Sequence, residues 1–178
     1  MYYFNSINAS IALDYLVPKS VSDKLQRVMN AAARVVSGTK KYDRGLTHPL
    51  YSELHWLDVA DRVTYKLGVT VYKCLHGGQA PDYLSELSTP VTQVAERQHL
   101  RYASRHLLVF PRFQLDTYGR RNFAVAGPTT WNLFENNLSE PDMQIGCFRR
   151  TLKTCLFDQY SAHVTLSALK ALFATMRY

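Results

Sequence analysis

The residues best suited to chemistry in this sequence are arginines and aromatic residues that alternate between positions 97 and 134. A guanidinium group binds phosphate oxygens, and an aromatic ring stacks on an unpaired base. Asp116 is the single acidic residue of the stretch. The stretch therefore predicts a basic surface that holds nucleic acid. Its arginines are Arg97, Arg101, Arg105, Arg112, Arg120 and Arg121, and its aromatic residues are Tyr102, Phe110, Phe113, Tyr118, Phe123, Trp131 and Phe134.

A second group of cations, Arg149, Arg150 and Lys153, lies nearer the C-terminus. Some of the arginines and aromatic residues have a simpler alternative use, because arginines also cover apolar surface and aromatic rings fill cores. A core position is the expectation for Phe123, Trp131 and Phe148. The candidate nucleic-acid-binding residues are Arg101, Arg105, Arg112, Arg120, Arg121, Arg149, Arg150 and Lys153 for phosphates, and Tyr102, Phe113 and Tyr118 for bases.

The overall charge supports the same class of partner. The chain has 178 residues and a formal net charge of +7, with a pI of about 9.4. Such a charge favours RNA or DNA as a partner, with an anionic membrane surface second. A charge that only maintains solubility is the simpler alternative.

The sequence also bears on the compartment. Three cysteines without a secretory signal favour a reducing compartment. No apolar run approaches the ~18 residues of a membrane span. We therefore expect an intracellular protein of the nucleus or cytoplasm, with no membrane partner.

No pattern of residues predicts catalysis. The sequence has no nucleophile elbow, no glycine-rich phosphate loop, no zinc-protease motif and no pair of cysteines spaced by two residues. Asp58 and Asp61 lie close together but without a context that predicts a magnesium site. We therefore expect no catalytic residue, no metal and no cofactor.

Three long helices must position the basic residues. The first has Ser20 or Ser22 as its N-cap and ends at Gly38, the second has Asp58 as its N-cap and ends at Gly77, and Asp142 caps the third. Their apolar residues recur at helical spacing. The expected buried stripes are Leu25, Val28, Met29, Ala32, Val35 and Val36, then Val59, Val63, Leu67, Val71 and Leu75, then Ile145, Phe148, Leu152 and Leu156.

Shorter elements lie between the second and third helices. Pro81 opens a short helical turn, and residues 88–98 form a polar connector. Residues 106–110 and 112–118 are candidate strands of a small hairpin-like insert.

Two further helices complete the prediction. Residues 120–126 form a short helix, and Pro128 opens a separate one. The fold class predicted is mainly α, a small helical domain with a short β-hairpin-like insert. Residues 161–178 repeat leucines at the spacing of a last amphipathic helix.

Four blocks of this sequence resemble, in the same order, the C-terminal region of the reverse transcriptase of non-LTR (LINE-type) retrotransposons. In that family the blocks read approximately LQRVQNAAARL, LHWLPVxxRIxFK with YKxLHGxAPxYL, LxVPRxRxxTYGxRAFSVAAPxLWNxLP, and SFKxxLKTxLF. Asp58 stands where the family usually has proline. The resemblance covers nearly all of residues 2–158, and its blocks are Leu25–Gly38, Glu53–Leu87, Leu100–Asn132 and Cys147–Phe157.

The resemblance implies a non-catalytic piece of an RNA-directed DNA polymerase. The palm with its paired aspartates, the fingers and the endonuclease would lie upstream, and the upstream domains would be partners. The region after the thumb would support template RNA and target DNA. Residues 1–19 would end a truncated thumb-like element, residues 20–158 would form the helical domain, and residues 159–178 a C-terminal amphipathic helix or tail.

Two other functions stay open. One is a remnant of a retroelement without a selected activity. The other is a protein-interaction domain with no role in nucleic-acid binding, which would use apolar surface such as that of Tyr2, Tyr3, Phe4, Ile7 and Ile11. The oligomeric state and the choice between RNA and DNA do not follow from the sequence.

Overall fold

The computed structural model describes residues 17–40, 42, 51, 53–77, 80–94, 106–109, 111–112, 119, 121–134, 138 and 143–158. The predictions for residues 1–16 and for the C-terminal amphipathic helix lie outside these ranges, as does the predicted cap at Asp142.

The described residues are mainly helical, as predicted. Helix α2 is central, because it contacts α1, α3 and α4 and packs on α5 through aromatic rings. A 3-10 turn, Val91–Gln93, follows α3. The helices are α1 (Lys19–Ser37), α2 (Val59–Leu75), α3 (Asp82–Ser85), α4 (Phe123–Asn132) and α5 (residues 145–158).

Helix α1 begins earlier than predicted and ends where predicted. The carbonyl oxygen of Pro18 accepts hydrogen bonds from the amides of Val21 and Ser22 at 2.8 and 3.1 Å. Ser20 and Ser22 are therefore not the N-cap. Their side chains are not needed there, because the φ of −55° at Pro18 already leads into the first turn. Gly38 closes the helix in the left-handed conformation, with a φ of +67°.

The apolar stripe predicted for α1 is mostly exposed. Of the predicted stripe, Met29 is buried, in a cluster with Ala33 and Tyr51, but the other members are not. The helical spacing was therefore correct and the expected burial was wrong, because the described residues cover only the side of α1 that carries Met29 and Ala33. The exposed members are Leu25 (50%), Val28 (68%), Val35 (84%) and Val36 (62%).

Helix α2 confirms both of its predicted ends. The Oδ1 of Asp58 accepts a hydrogen bond from the amide of Asp61 at 2.8 Å. At the other end, His76 is the C-cap and Gly77 has a φ of +64°. The helix is covered on more than the predicted face. Its buried residues are Thr64, Gly68, Val69, Val71, Tyr72 and Cys74, whereas Val59, Val63, Leu67 and Leu75 are partly buried.

The main core forms around Phe148 of α5, which is fully buried. Its ring centroid lies 4.5 Å from that of Tyr72 on α2 and 5.9 Å from that of Trp131 on α4. Trp131 and Phe148 thus occupy the core as expected, and Phe123 packs against the core while partly buried. Three helices therefore meet at one aromatic cluster.

Helix α4 corrects two predictions. Residues 120–126 and the residues from Pro128 onward do not form two helices, because Phe123–Asn132 is one helix with Pro128 inside it. The Oδ1 of Asn122 caps it by accepting a hydrogen bond from the amide of Ala124 at 3.2 Å. Pro128 is buried, and the surrounding packing offsets the backbone hydrogen bond that a proline cannot donate.

The hairpin-like insert is not supported. Leu108 pairs in an antiparallel bridge with Pro90, from the polar connector, instead of with a strand that follows it. Two backbone hydrogen bonds of 2.9 Å flank this bridge, from Val91 to Leu107 and from Val109 to Thr89. Of the second predicted strand, residues 113–118 lie outside the described residues. The connector supplies the backbone partner that the prediction assigned to that strand.

Gly68 of α2 tests how tightly the core is packed. A methyl group there would lie 2.8 Å from the ring of Phe134 and 3.0 Å from Leu152. We expect Gly68→Ala to lower the free energy of unfolding by about 1–3 kcal/mol, measured by urea denaturation. Gly146→Ala is the matched control, because no atom lies within 4 Å of the new methyl group and alanine stabilises a helix by up to ~1 kcal/mol. Equal stability of the two variants would contradict close packing at Gly68.

Candidate nucleic-acid interface

Five of the eleven candidate residues lie in the described part of the chain, and all five are exposed. They are Arg112, Arg121, Arg149, Arg150 and Lys153. The other candidates, Arg101, Arg105, Arg120, Tyr102, Phe113 and Tyr118, lie outside the described residues.

Helix α5 presents a continuous basic face. Phe148 and Leu152 are buried on one side of the helix, and Arg149, Arg150 and Lys153 are exposed on the other. Arg149 and Lys153, four residues apart, lie one above the other. A like-charged pair of this kind costs a helix about 0.2–0.5 kcal/mol, and residues 143–157 contain no acidic residue that would offset it. A bound polyanion would offset the repulsion.

Lys153 is placed by an aromatic ring. Its ammonium nitrogen lies 5.6 Å from the ring centroid of Phe157, a distance at which a cation is attracted to the face of a ring. Phe157 in turn contacts Tyr51 edge to face, with centroids 5.9 Å apart. Tyr51 belongs to the small cluster of Met29 and Ala33 on α1. The basic face of α5 is thereby fixed relative to α1 as well as to the main core.

The extended segment before Arg112 is fixed by two side chains of α4. The amide group of Asn132 accepts a hydrogen bond from the backbone nitrogen of Leu108 at 2.8 Å and donates one to its carbonyl oxygen at 2.9 Å. The indole nitrogen of Trp131 donates to the carbonyl oxygen of His106 at 3.1 Å. His106 has a φ of +52°, which few residues other than glycine adopt. Two adjacent side chains thus hold an otherwise unfavourable backbone.

The segment that precedes Arg112 and the residue Arg121 lie at opposite ends of α4. Residues 106–109 are bonded to Trp131 and Asn132 at the C-terminal end of the helix, whereas Arg121 precedes the cap at its N-terminal end. A ten-residue helix is about 15 Å long. Helix α5 carries three of the five described candidates, Arg149, Arg150 and Lys153, on one element.

Sequence reasoning missed the role of Asn132. An amide next to a tryptophan gave a signal, because both side chains can bind backbone groups. The extended partner, however, is 24 residues away in sequence. Lys24, Arg27 and Arg34 on α1 were expected to form a solvated face. Lys24 and Arg27 are exposed, whereas Arg34 is half-buried and its Nε is shielded from solvent.

A group of ionisable side chains lies where α1 meets α2. Burial of the carboxyl group, together with the negative charge of Asp58, raises the pKa of Asp61 from 3.8 to about 7. Burial, followed by the charges of Asp58 and Asp61, raises the pKa of Tyr51. These residues do not form a metal site: within the described ranges, no three His, Cys, Asp or Glu residues are placed to hold an ion.

No helix in these ranges is long and apolar enough to cross a membrane.

Asn132 can be tested through the backbone that it binds. We expect Asn132→Ala to lower the free energy of unfolding by about 1–3 kcal/mol, because two buried backbone groups lose their partners, and to speed hydrogen exchange at the amide of Leu108. Asn30→Ala is the control, since the Asn30 amide bonds only to Gln26 on the same helix. Unchanged exchange at Leu108 in Asn132→Ala would contradict the role given to this side chain.

The raised pKa of Asp61 should make the stability of the chain depend on pH. Its folded-state pKa is raised, so the folded chain keeps this proton up to about pH 7 whereas the unfolded chain releases it near pH 3.8. The stability that this group contributes is present below about pH 4 and is lost as the pH rises through 7. We therefore expect Asp61→Asn to flatten the fall of the melting temperature between pH 4 and 8. Asp23→Asn, at an exposed position of α1, should keep the slope of the native chain.

Comparison with models of protein families, with curated proteins and with solved structures gave no match. The resemblance of the four sequence blocks to a retrotransposon reverse transcriptase therefore stays a prediction. The geometry of the α5 face and of the Asn132 contact does not depend on it.

Proposed function

We propose that this chain binds RNA or DNA without catalysing a reaction, as the C-terminal region of a non-LTR retrotransposon reverse transcriptase. The observation that carries the proposal is the exposed basic face of α5, formed by Arg149, Arg150 and Lys153 opposite a fully buried side. The net charge of +7 and the resemblance of the four blocks support it. Such a protein would act inside the cell, in the nucleus or the cytoplasm.

The exposed cations of α5 suit contacts with the phosphate backbone. Arg149, Arg150 and Lys153 place three positive charges on one side of a helix, and phosphate contacts of this kind supply affinity without reading the sequence. Lys153 is held by the ring of Phe157, so less side-chain freedom is lost when it binds. Binding should therefore depend strongly on salt and weakly on nucleotide sequence. Sequence preference, if present, would come from the aromatic candidates Tyr102, Phe113 and Tyr118.

A salt titration of RNA and DNA binding tests the proposal. The variant Arg149→Gln/Arg150→Gln/Lys153→Gln should bind single-stranded RNA more weakly. The slope of log affinity against log salt concentration should be shallower by about 2, since three phosphate contacts at ~0.7 each are lost. The measurement is fluorescence anisotropy between about 50 and 200 mM salt.

The matched control removes the same charge elsewhere. Lys19→Gln/Lys24→Gln/Arg27→Gln takes three exposed cations from α1 and leaves the net charge equal to that of the α5 variant. We expect this control to keep nearly the native slope. If both variants lose the same slope, attraction is a property of total charge and the α5 site is wrong. If the native chain shows no salt-dependent binding, the proposed function fails.

A further inference from the structure

The exposed side of α1 has the spacing of a helix that packs against another helix. Successive apolar residues are separated alternately by four and three positions, which is the seam of a coiled coil. Single apolar residues scattered on a surface are ordinary, whereas five at regular spacing on a 19-residue helix form a contiguous apolar patch. The seam consists of Val21, Leu25, Val28, Ala32 and Val35, all exposed.

Part of this seam forms one wall of a groove between α1 and α2. The groove has a volume of about 950 Å³. Leu25, Val28 and Ala32 line it from α1, and Val63 and Leu67 line it from α2. Apolar side chains that repeat along two neighbouring helices form the kind of surface that binds the apolar face of an amphipathic helix.

Among the described residues that line the groove, the charged ones are all cations. Arg62 and Lys66 line it from α2, one helical turn apart, and no Asp or Glu is among its described lining residues. The Nε of Arg62 donates to the carbonyl oxygen of Leu57 at 2.9 Å, and its guanidinium carbon lies 5.8 Å from the ring centroid of Trp56. Arg62 is therefore held in place beside the apolar floor, where a carboxylate on a bound helix would complement it.

We propose that the α1–α2 groove binds an amphipathic helix of a protein partner, one with apolar residues at coiled-coil spacing and carboxylates along the edge that faces Arg62 and Lys66. This surface is separate from the nucleic-acid face of α5 and does not depend on it. It gives the chain a second, protein-binding activity.

Charge decides against the other occupants. A second copy would bring its α1, which carries four cations and Asp23 as its one acidic residue, against an already cationic groove. Residues 159–178 contain Lys170 and Arg177 and no acidic side chain. Residues 1–16 contain only Asp14 as an acidic side chain. A partner helix with several carboxylates is the better complement.

The test uses the full chain and two synthetic peptides. Both are labelled helices of about three heptads with leucine at the seam positions, one with glutamate and the other with lysine at the flanking positions. By fluorescence anisotropy we expect the glutamate peptide to bind at least tenfold more tightly than the lysine peptide. Equal affinities would overturn the proposal.

Two matched variants place the binding in the groove. Val28→Glu should weaken the glutamate peptide at least tenfold, and circular dichroism should show a folded chain because Val28 is 68% exposed. Tyr83→Glu adds the same charge at a 66% exposed residue outside the groove and should leave the affinity unchanged. Should Val28→Glu not fold, Lys66→Glu serves in its place, and it should reduce or reverse the preference between the two peptides.

Competing occupants give distinct results. Light scattering that shows a dimer, dissociated by Val28→Glu, would assign the groove to a second copy and overturn the proposal. A peptide of residues 159–178 that binds more tightly than the glutamate peptide would assign the groove to the chain's own C-terminal segment and overturn it equally. Monomeric chain, with preference for the glutamate peptide that depends on Val28, supports the proposal.

Discussion

Contact of Phe148 with the aromatic rings of Tyr72 and Trp131 determines how the helices are arranged. Its ring stacks on Tyr72 of α2 and lies beside Trp131 of α4, so one side chain of α5 joins three helices. The absence of a side chain at Gly68 allows Phe134 and Leu152 to close over α2. Because interiors are packed as densely as crystals, a change at any of these positions is felt by all three helices.

The same packing also exposes the cations of α5 and directs two side chains of α4 to an extended segment. Burial of one side of α5 turns its three cations outward on a rigid helix. On α4, Trp131 has its ring in the core and its indole N–H on the backbone of His106, while Asn132 binds Leu108. One helix therefore both completes the core and fixes the segment that leads to Arg112.

Local signals in the sequence were enough for the C-terminal end of α1, for both ends of α2 and for the central aromatic residues. Gly38, Asp58 and Gly77 act through their own backbone or an adjacent amide, so no knowledge of the rest of the fold was needed. The burial of Leu25 and Val28 was predicted wrongly because periodicity shows that a helix has an apolar side but not what covers it. Pro128 inside α4 and the pairing of Leu108 with Pro90 depend on distant contacts. For the candidate site, the sequence alone grouped the cations of α5, whereas the contacts of Asn132 required the fold.

The double hydrogen bond of Asn132 also bears on how the chain avoids aggregation. An extended segment offers two edges, and an unpaired edge invites a strand from another molecule. In residues 106–109 the connector occupies one edge through Thr89 and Val91, and the amide of Asn132 occupies the backbone of Leu108 on the other. A single side chain thus takes the place of a neighbouring strand and closes the edge, so that this short extended piece can remain outside any β-sheet.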